Sequence, residues 1–392
     1  MRLPALHEGD FQGKRVFVRV DYNVPLQDGV IQDDRRIRAS LPTLNHLLSQ
    51  GASLVLASHL GRPKGQPDPK YSLAPVATHL SALLSRPVRL VSDWASPIPL
   101  RPGEVLLLEN LRFHAGETQN DPEFARLLSQ WADVYVCDAF GSVHRAHASV
   151  EALPKLFPHR YAGLLLMAEW ENAQRVLSNV IHPYLLIVGG AKVADKLPIL
   201  QNLLDKIDRL LIGGGMSYTF LKAQGLPIGK SLCEDEHIEA ARAILTTLQK
   251  RGKKFLLPLD SVVAPHFAED ATARVFPHLP NQFPEEYMGL DIGPQTIASA
   301  KTFIQGAKTI LWNGPMGVFE WKTFQTGTLR IAQFVAEETQ AGAYSLIGGG
   351  DTASAIEMLG LSDKVSFVST GGGALLELLG GQTLPGIAAL LS

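Results

Sequence analysis

Short apolar runs recur along the chain, and each ends abruptly in polar, charged or glycine residues. Residues 14–20 (KRVFVRV) close in Asp21-Tyr22-Asn23, and 52–57 (ASLVLA) close in Ser58-His59 and a Gly-Arg-Pro turn. Residues 105–108 (VLLL) close in Glu109-Asn110, with Arg112 just beyond. Residues 134–136 lead past Asp138 into a loop holding His144, Arg145 and His147. Between these runs lie segments of helical spacing, among them 37–49 (IRASLPTLNHLLS) and 73–84. Strand and helix signals in alternation predict βα units around a parallel sheet.

The second half repeats the alternation with glycine at the strand ends. Residues 184–188 end in Gly189-Gly190-Ala191-Lys192, and 209–212 end in Gly213-Gly214-Gly215-Met216. Two further runs end in GGGDT (348–352) and TGGGA (370–374), the second after the strand-like stretch 364–368. Residues 309–312 end instead in the turn Asn313-Gly314-Pro315. Between the halves, 161–179 (YAGLLLMAEWENAQRVLSN) reads as one amphipathic helix, either a connector or a core helix of one half. The expected class is therefore α/β, with two doubly wound parallel-sheet (Rossmann-like) domains joined by a helix and hinge. A length of 392 residues, 46% of them hydrophobic, provides for two full cores.

Composition removes several functions. A formal net charge of −2 gives no bulk attraction to nucleic acid or an acidic membrane. No apolar run approaches the roughly 20 residues of a spanning helix, and no leader pattern precedes the first strand; the expectation is a soluble, cytoplasmic protein. Cys137 and Cys233 cannot form a disulfide framework, and Cys137 sits in the apolar run DVYVCDAF, which suits a buried, inert thiol.

In open parallel sheets, functional groups gather beyond the strand C-termini. Here these are Asp21, Asn23, His59, Arg62, Arg112 and Arg145, with Arg36 expected on the loop after the first strand. Any one of these arginines alone reads as a surface residue in a solvated ion pair. Four on four loops at one sheet edge read as a cup for a small, highly anionic ligand, because arginine offers bidentate geometry to carboxylate and phosphate. In the second half, a strand passing through glycine into a helix leaves amides at a helix N-terminus, an anion site. One such junction is weak evidence, since glycine often only permits a tight turn; four in one domain favour a nucleotide-phosphate site.

Other fingerprints fail. The dinucleotide pattern G-x-G-x-x-G is absent. Gly225 to Ser231 resembles a P-loop but has three residues between its glycines where four are required. A zinc site from His144, His147 and Asp138 competes poorly with an anion loop, given Arg145 between the histidines.

The segments RVDYNVP (19–25), SHLGRPKG (58–65), LLLENLRFHAGE (106–117), AFGSVHRAHAS (139–149), GGAKVADKLPIL (189–200), GGGM (213–216), LWNGPMGVFE (311–320), GGGDT (348–352) and STGGGALLELL (369–379) together resemble phosphoglycerate kinases, in that family's order and over nearly the whole chain. The resemblance implies an N-terminal domain (1–162), a connecting helix (163–180), a nucleotide domain (181–371) and a C-terminal segment (372–392) returning to the first domain. It implies binding of 3-phosphoglycerate or 1,3-bisphosphoglycerate by Asp21, Asn23, Arg36, His59, Arg62, Arg112 and Arg145. It implies MgADP or MgATP on the second domain: Lys192, Lys196 and Thr352 at the phosphates, with Gly348, Gly349 and Gly350, Asp351 on Mg²⁺, Glu320 on the ribose, and Gly213, Gly214, Gly215, Asn313 and Pro315 shaping the nucleoside pocket. The chain departs from the family pattern at Phe367, where histidine is usual, and at Gln382, where lysine is usual.

Such phosphoryl transfer requires positioning and charge stabilisation rather than covalent help. The acceptor is a phosphate or carboxylate oxygen already ionised at neutral pH, so no general base is needed. Arg36, Lys192 and the amides of Gly372 and Gly373 are expected at the group in flight. Two other classes compete: a nucleotide-dependent kinase or ligase with another anionic substrate, and a non-catalytic nucleotide-binding scaffold. A monomer is the default.

Overall fold

The computed structural model describes residues 2–392. The chain forms two compact units, one ending at Glu171 and joined by Thr383–Ser392, the other Asn172–Gln382.

The first unit contains β1 (Arg15–Arg19), β2 (Leu26–Gln27), β3 (Val30–Ile31), β4 (Ser53–Ala57), β5 (Val88–Val91), β6 (Val105–Leu108), β7 (Val134–Cys137) and β8 (Arg160–Ala162). Six of them make a sheet in the order β5-β6-β4-β1-β7-β8, and β2 pairs with β3 as a hairpin. All the pairings in the large sheet are parallel. β4, β6 and β7 are buried at every position, as strands covered on both faces must be. The chain runs from β1 outward through β4, β5 and β6, then returns to β7 on the other side of β1. The order therefore reverses at β1, and the crevice beyond the ends of β4, β1 and β7 is the switch point where such sheets take ligands.

The second unit contains β9 (Tyr184–Val188), β10 (Arg209–Ile212), β11 (Lys254–Leu256), β12 (Asp260–Ala264), β13 (Arg274–Pro277), β14 (Met288–Ile292), β15 (Thr309–Asn313), β16 (Tyr344–Gly348) and β17 (Phe367–Val368). Its main sheet is also parallel, in the order β11-β10-β9-β15-β16-β17. The reversal falls at β9, between β10 and β15. A core of Leu185, Ile187, Ile310, Trp312, Ile331 and Ile347 fills one side. A separate antiparallel sheet, β13-β12-β14, packs its own cluster around Ala264, Leu290 and Phe324.

Several elements differ from the sequence expectation. The helix expected over 37–49 is Arg35–Ser49, so Arg36 sits in its first turn rather than on a loop. The helix expected over 161–179 is Leu164–Leu177, because Tyr161 and Ala162 pair with Val136 and Cys137 as the edge strand β8. Of the strand-like stretch 364–368 only Phe367–Val368 pairs, and Lys364 closes a 3-10 turn. The junction after Gly190 is not direct, since the next helix begins at Leu197. β5 and the antiparallel sheet carry no strong sequence signal.

Candidate active site

In the first unit the strand ends bring the expected residues to one crevice. Arg36 donates to Asp21 Oδ2 at 2.6 Å, and Asp21 Oδ1 accepts from the Asn23 amide at 3.1 Å. Asn23 Oδ1 accepts from the Gly61 amide at 2.9 Å, and Arg112 donates to the Gly61 carbonyl at 2.8 Å. Asn110, at the end of β6, accepts from the amides of Leu60 and Arg112 and donates to the Leu60 carbonyl at 2.7 Å. The loops after β1, β4 and β6 are thus tied together by side chains that bond backbone.

The positive charges crowd. His59 is 7% exposed; burial holds its pKa well below the usual imidazole range, and Arg19, Arg112, Arg145 and Arg36 push it further down. Arg112 is pushed down to about 10, first by burial and then by Arg145, Arg19 and Arg62. His147 is lowered to about 4 by burial and then by Arg112 and Arg19. Both histidines are therefore neutral at pH 7, while Arg112 stays charged. Arg62 and Arg145 are exposed. A cluster of guanidinium groups with neutral imidazoles among them suits an anionic ligand.

Arg19, Glu117 and Ser149 also belong to this site, and little in the sequence marks them. Arg19 is a charge inside an apolar strand, buried to 1% exposure. That was its one available signal, because its partners are remote in sequence. Asp138 Oδ1 accepts from the amides of Leu165 and Leu166 at the start of helix Leu164–Leu177, and among the described residues His144, His147 and Asp138 do not bring ligand atoms together.

In the second unit three glycine loops interlock beyond β9, β10 and β15. The amides of Gly189, Gly190, Gly213 and Gly214 donate to Asn313, Pro315, Val188 and Met316 carbonyls at 2.9–3.0 Å. These four amides are engaged within the protein, which corrects the expectation that every glycine junction presents bare donors. Their glycines serve close approach instead: a Cβ on Gly189 would lie 2.1 Å from the Pro315 carbonyl oxygen, and one on Gly214, at φ +66, would lie 2.5 Å from the Gly190 nitrogen.

The GGGDT junction keeps its opening amides. Gly349, at φ +93, precedes helix Gly350–Met358, and Asp351 stands exposed in its first turn. First-turn amides have no intrahelical acceptor. The buried Thr352 hydroxyl accepts from the Gly314 amide at 2.8 Å and ties this helix to the β15 loop. Asn313 accepts from Lys196, and its own Nδ2 is buried with no hydrogen-bond partner, beside Gly348 and Gly349. Lys196 has its pKa lowered by burial, opposed by the charges of Asp195 and Asp351. Lys192 is exposed on the loop before it, and Glu320 is exposed after β15. Gly372 precedes helix Gly373–Leu379, and both glycines are exposed. Elsewhere Glu234, Glu236 and His237 bring ligand-type atoms within 4.8 Å of one another, but Glu234 already accepts from the Val193 amide.

Among the described residues no helix is long and apolar enough to cross a membrane. A family model described as phosphoglycerate kinase matches residues 6–382. A phosphoglycerate kinase of Solibacter usitatus is 50% identical over 98% of this chain and 98% of that protein. A cytosolic phosphoglycerate kinase of Triticum aestivum is 49% identical over 98% of this chain and 97% of its own. The solved structure of phosphoglycerate kinase from Coxiella burnetii superposes with a TM-score of 0.94 at 42% identity, covering 100% of this chain and 99% of that one.

Proposed function

The chain belongs to the phosphoglycerate kinase family, and we propose how its residues carry that family's reaction, the reversible transfer of a phosphoryl group from 1,3-bisphosphoglycerate to ADP. It is a phosphotransferase with a carboxyl group as acceptor, of the glycolytic kinase class. The first unit holds the phosphoglycerate: Arg62, Arg112 and Arg145 take its phosphate and carboxylate, His59 donates to it, and Asp21 and Asn23 hold Arg36 and the Gly61 loop in place. The second unit holds the nucleotide. Lys196, Lys192 and the first-turn amides of Gly350, Asp351 and Thr352 meet its phosphates. Gly348 and Gly349 let them approach, and Gly213, Gly214, Gly215, Asn313, Pro315 and Glu320 form the nucleoside side.

The observation that carries this reading is the arginine cluster. Arg112 loses part of its proton affinity first to burial and then to the charges of Arg145, Arg19 and Arg62, an arrangement that is costly until an anion neutralises it. Asp351 suits a hard cation: it is an exposed single carboxylate, and Mg²⁺ prefers one or two carboxylates plus substrate phosphates. When bound there, the ion neutralises charge on the nucleotide phosphates. Arg36, Lys192 and the amides of Gly372 and Gly373 stabilise the equatorial oxygens of the group in transfer. The acid-binding cup and the nucleotide edge lie on different units, so in-line transfer requires a hinge-bending closure about helix Leu164–Leu177, which also excludes water from the acyl phosphate. The wheat relative is cytosolic by name; the same location and a monomeric state are part of this proposal, and sedimentation tests the latter.

A coupled assay for ATP from 1,3-bisphosphoglycerate and ADP tests the assignment. Arg36→Ala is expected to reduce turnover about a hundredfold or more, with nucleotide affinity unchanged, since one lost charge-stabilising contact costs on the order of 3 kcal/mol. A rate unaffected by the substitution would remove Arg36 from the transfer step.

A further inference from the structure

Arg19 ends β1 with all its nitrogens engaged. Nε donates to Ser149 Oγ at 2.7 Å, Nη1 donates to the Val20 carbonyl, and Nη2 lies 3.0 Å from His59 Nδ1. A guanidinium only donates. His59 Nδ1 is therefore the acceptor, and the imidazole proton resides on Nε2. On the other side, Ser149 Oγ accepts from Arg19 and so gives its single proton to Glu117 Oε1, at 2.6 Å; the Ser149 amide donates to Glu117 Oε2 at 3.1 Å. With Glu117 ionised, the direction of every bond in the chain from Glu117 to His59 follows from donor chemistry.

The charges agree with that direction. Glu117 is fully buried, with burial raising its pKa and Arg19 as the foremost opposing charge, followed by Arg112. A buried carboxylate is costly unless a cation and hydrogen bonds compensate it, and Ser149 completes that compensation. Arg19, Arg112, Arg145 and Arg36 surround His59. Protonating His59 at Nδ1 would turn two donors against each other at 3.0 Å, so the contact with Arg19 excludes the imidazolium.

We propose that Glu117 and Ser149 are positioning residues for this reaction: by holding Arg19 in one orientation, they keep His59 as the Nε2-protonated imidazole that donates to the bound phosphoglycerate. This rests on the reading of the arginine cup given above. Neither residue touches the substrate; each acts through Arg19. The arrangement solves a problem peculiar to a cup made of cations. A histidine among arginines is readily neutral, but neutrality alone leaves two tautomers, and only one presents a donor to an anion. Arg19 selects it, and Glu117 keeps Arg19 from turning into the cup as one more free cation.

Ser149→Ala removes the link while retaining both charges. With ¹⁵N-histidine-labelled protein free of substrate, NMR is expected to show His59 passing from a single Nε2–H tautomer to a mixture. The KM for 3-phosphoglycerate is expected to rise roughly tenfold, the loss of about one hydrogen bond, with the KM for ATP unchanged. Ser149→Thr, which keeps the hydroxyl, restores the tautomer. If Ser149→Ala fails to fold, Glu117→Gln, of nearly the same shape, gives the same readout. A folded variant whose His59 keeps the Nε2–H tautomer overturns the proposal. His59→Ala separates the two readings. If it leaves the KM for 3-phosphoglycerate unchanged, the cup assignment fails; if it raises that KM while Ser149→Ala leaves the tautomer unmoved, only the positioning chain fails.

Discussion

The two thiols differ in exposure. Cys137 ends β7 at 1% exposure, and burial pushes its thiol up to about 11. Cys233 is partly exposed, and its Sγ donates to Asp235 at 3.3 Å. Burial and the Asp235 carboxylate also raise the Cys233 thiol above its usual range, so its accessibility rather than its acidity sets it apart: because the thiolate is the reacting species, a chromogenic disulfide reagent at pH 8 is expected to release one equivalent from the native protein and two after unfolding. Two equivalents from native protein would contradict the burial of Cys137. The burial of Cys137 was legible in the sequence, since it lies within a continuous apolar run. The chain from Arg19 to Glu117 was not. Arg19 and Ser149 are 130 positions apart, and nothing in the spacing of either residue points to the other. The arginines were legible because each follows a strand end, a local position; their mutual crowding is a tertiary fact.

At the scale of elements, three helices begin against a buried aspartate from a strand or its end. Asp138 receives the amides of Leu165 and Leu166, Asp260 those of Gln295 and Thr296, and Asp291 that of Gly327 at 2.7 Å. Each satisfies first-turn donors that the helix itself leaves open. Gly163 is required beside one of them, since a Cβ there would fall 2.1 Å from Asp138 Oδ1. Burial raises Asp138 to about 7, opposed by its hydrogen bonds, and raises Asp291 to about 8. The sign follows: between pH ~4 and the raised value, the folded state holds a proton that the unfolded chain has released, so stability falls as pH rises through that window. For Asp138 the change from 3.8 to about 7 amounts to an effect on the order of 4 kcal/mol. Asp138→Asn keeps an acceptor for the amides and cannot ionise. Thermal melts from pH 4 to 8 are therefore expected to show a flatter decline of Tm than the parent, and an equal decline would place the titration elsewhere. Sequence periodicity found the strands that are buried throughout, such as β4 and β9. It missed β5, where exposed and buried positions mix, and β13, where Arg274 and Val275 are exposed; the largely buried β12 and β14 were missed as well. A half-solvated short strand lacks the continuous apolar run that a doubly covered parallel strand must carry.

At the scale of the whole molecule, the first unit is built from two pieces of chain, and its second piece is only Thr383–Ser392. Helix Pro385–Leu391 buries Ile387, Ala389 and Leu390, and Leu384 just ahead of it is 1% exposed. The Gly386 amide donates to the Val143 carbonyl at 2.9 Å, and a Cβ on Gly386 would meet Val143 Cβ at 2.9 Å. The last helix thus braces the loop that carries Arg145 and His147, and the glycine is what lets it sit so close. Removing residues 383–392 exposes the faces that Leu384, Ile387 and Leu390 cover. At about 2 kcal/mol for each of these three side chains the loss is about 6 kcal/mol, comparable to the whole stability of a small domain. The loss should be confined to one unit, because Asn172–Gln382 is a single stretch with its own core. Hydrogen exchange of the truncated chain is expected to show β1, β4 and β7 losing protection while β9, β15 and β16 keep theirs. Calorimetric titration is expected to show 3-phosphoglycerate binding abolished and nucleotide binding retained. Uniform loss across both sheets, or full protection in both, would mean that the terminal helix does not stabilise the first unit as its packing implies.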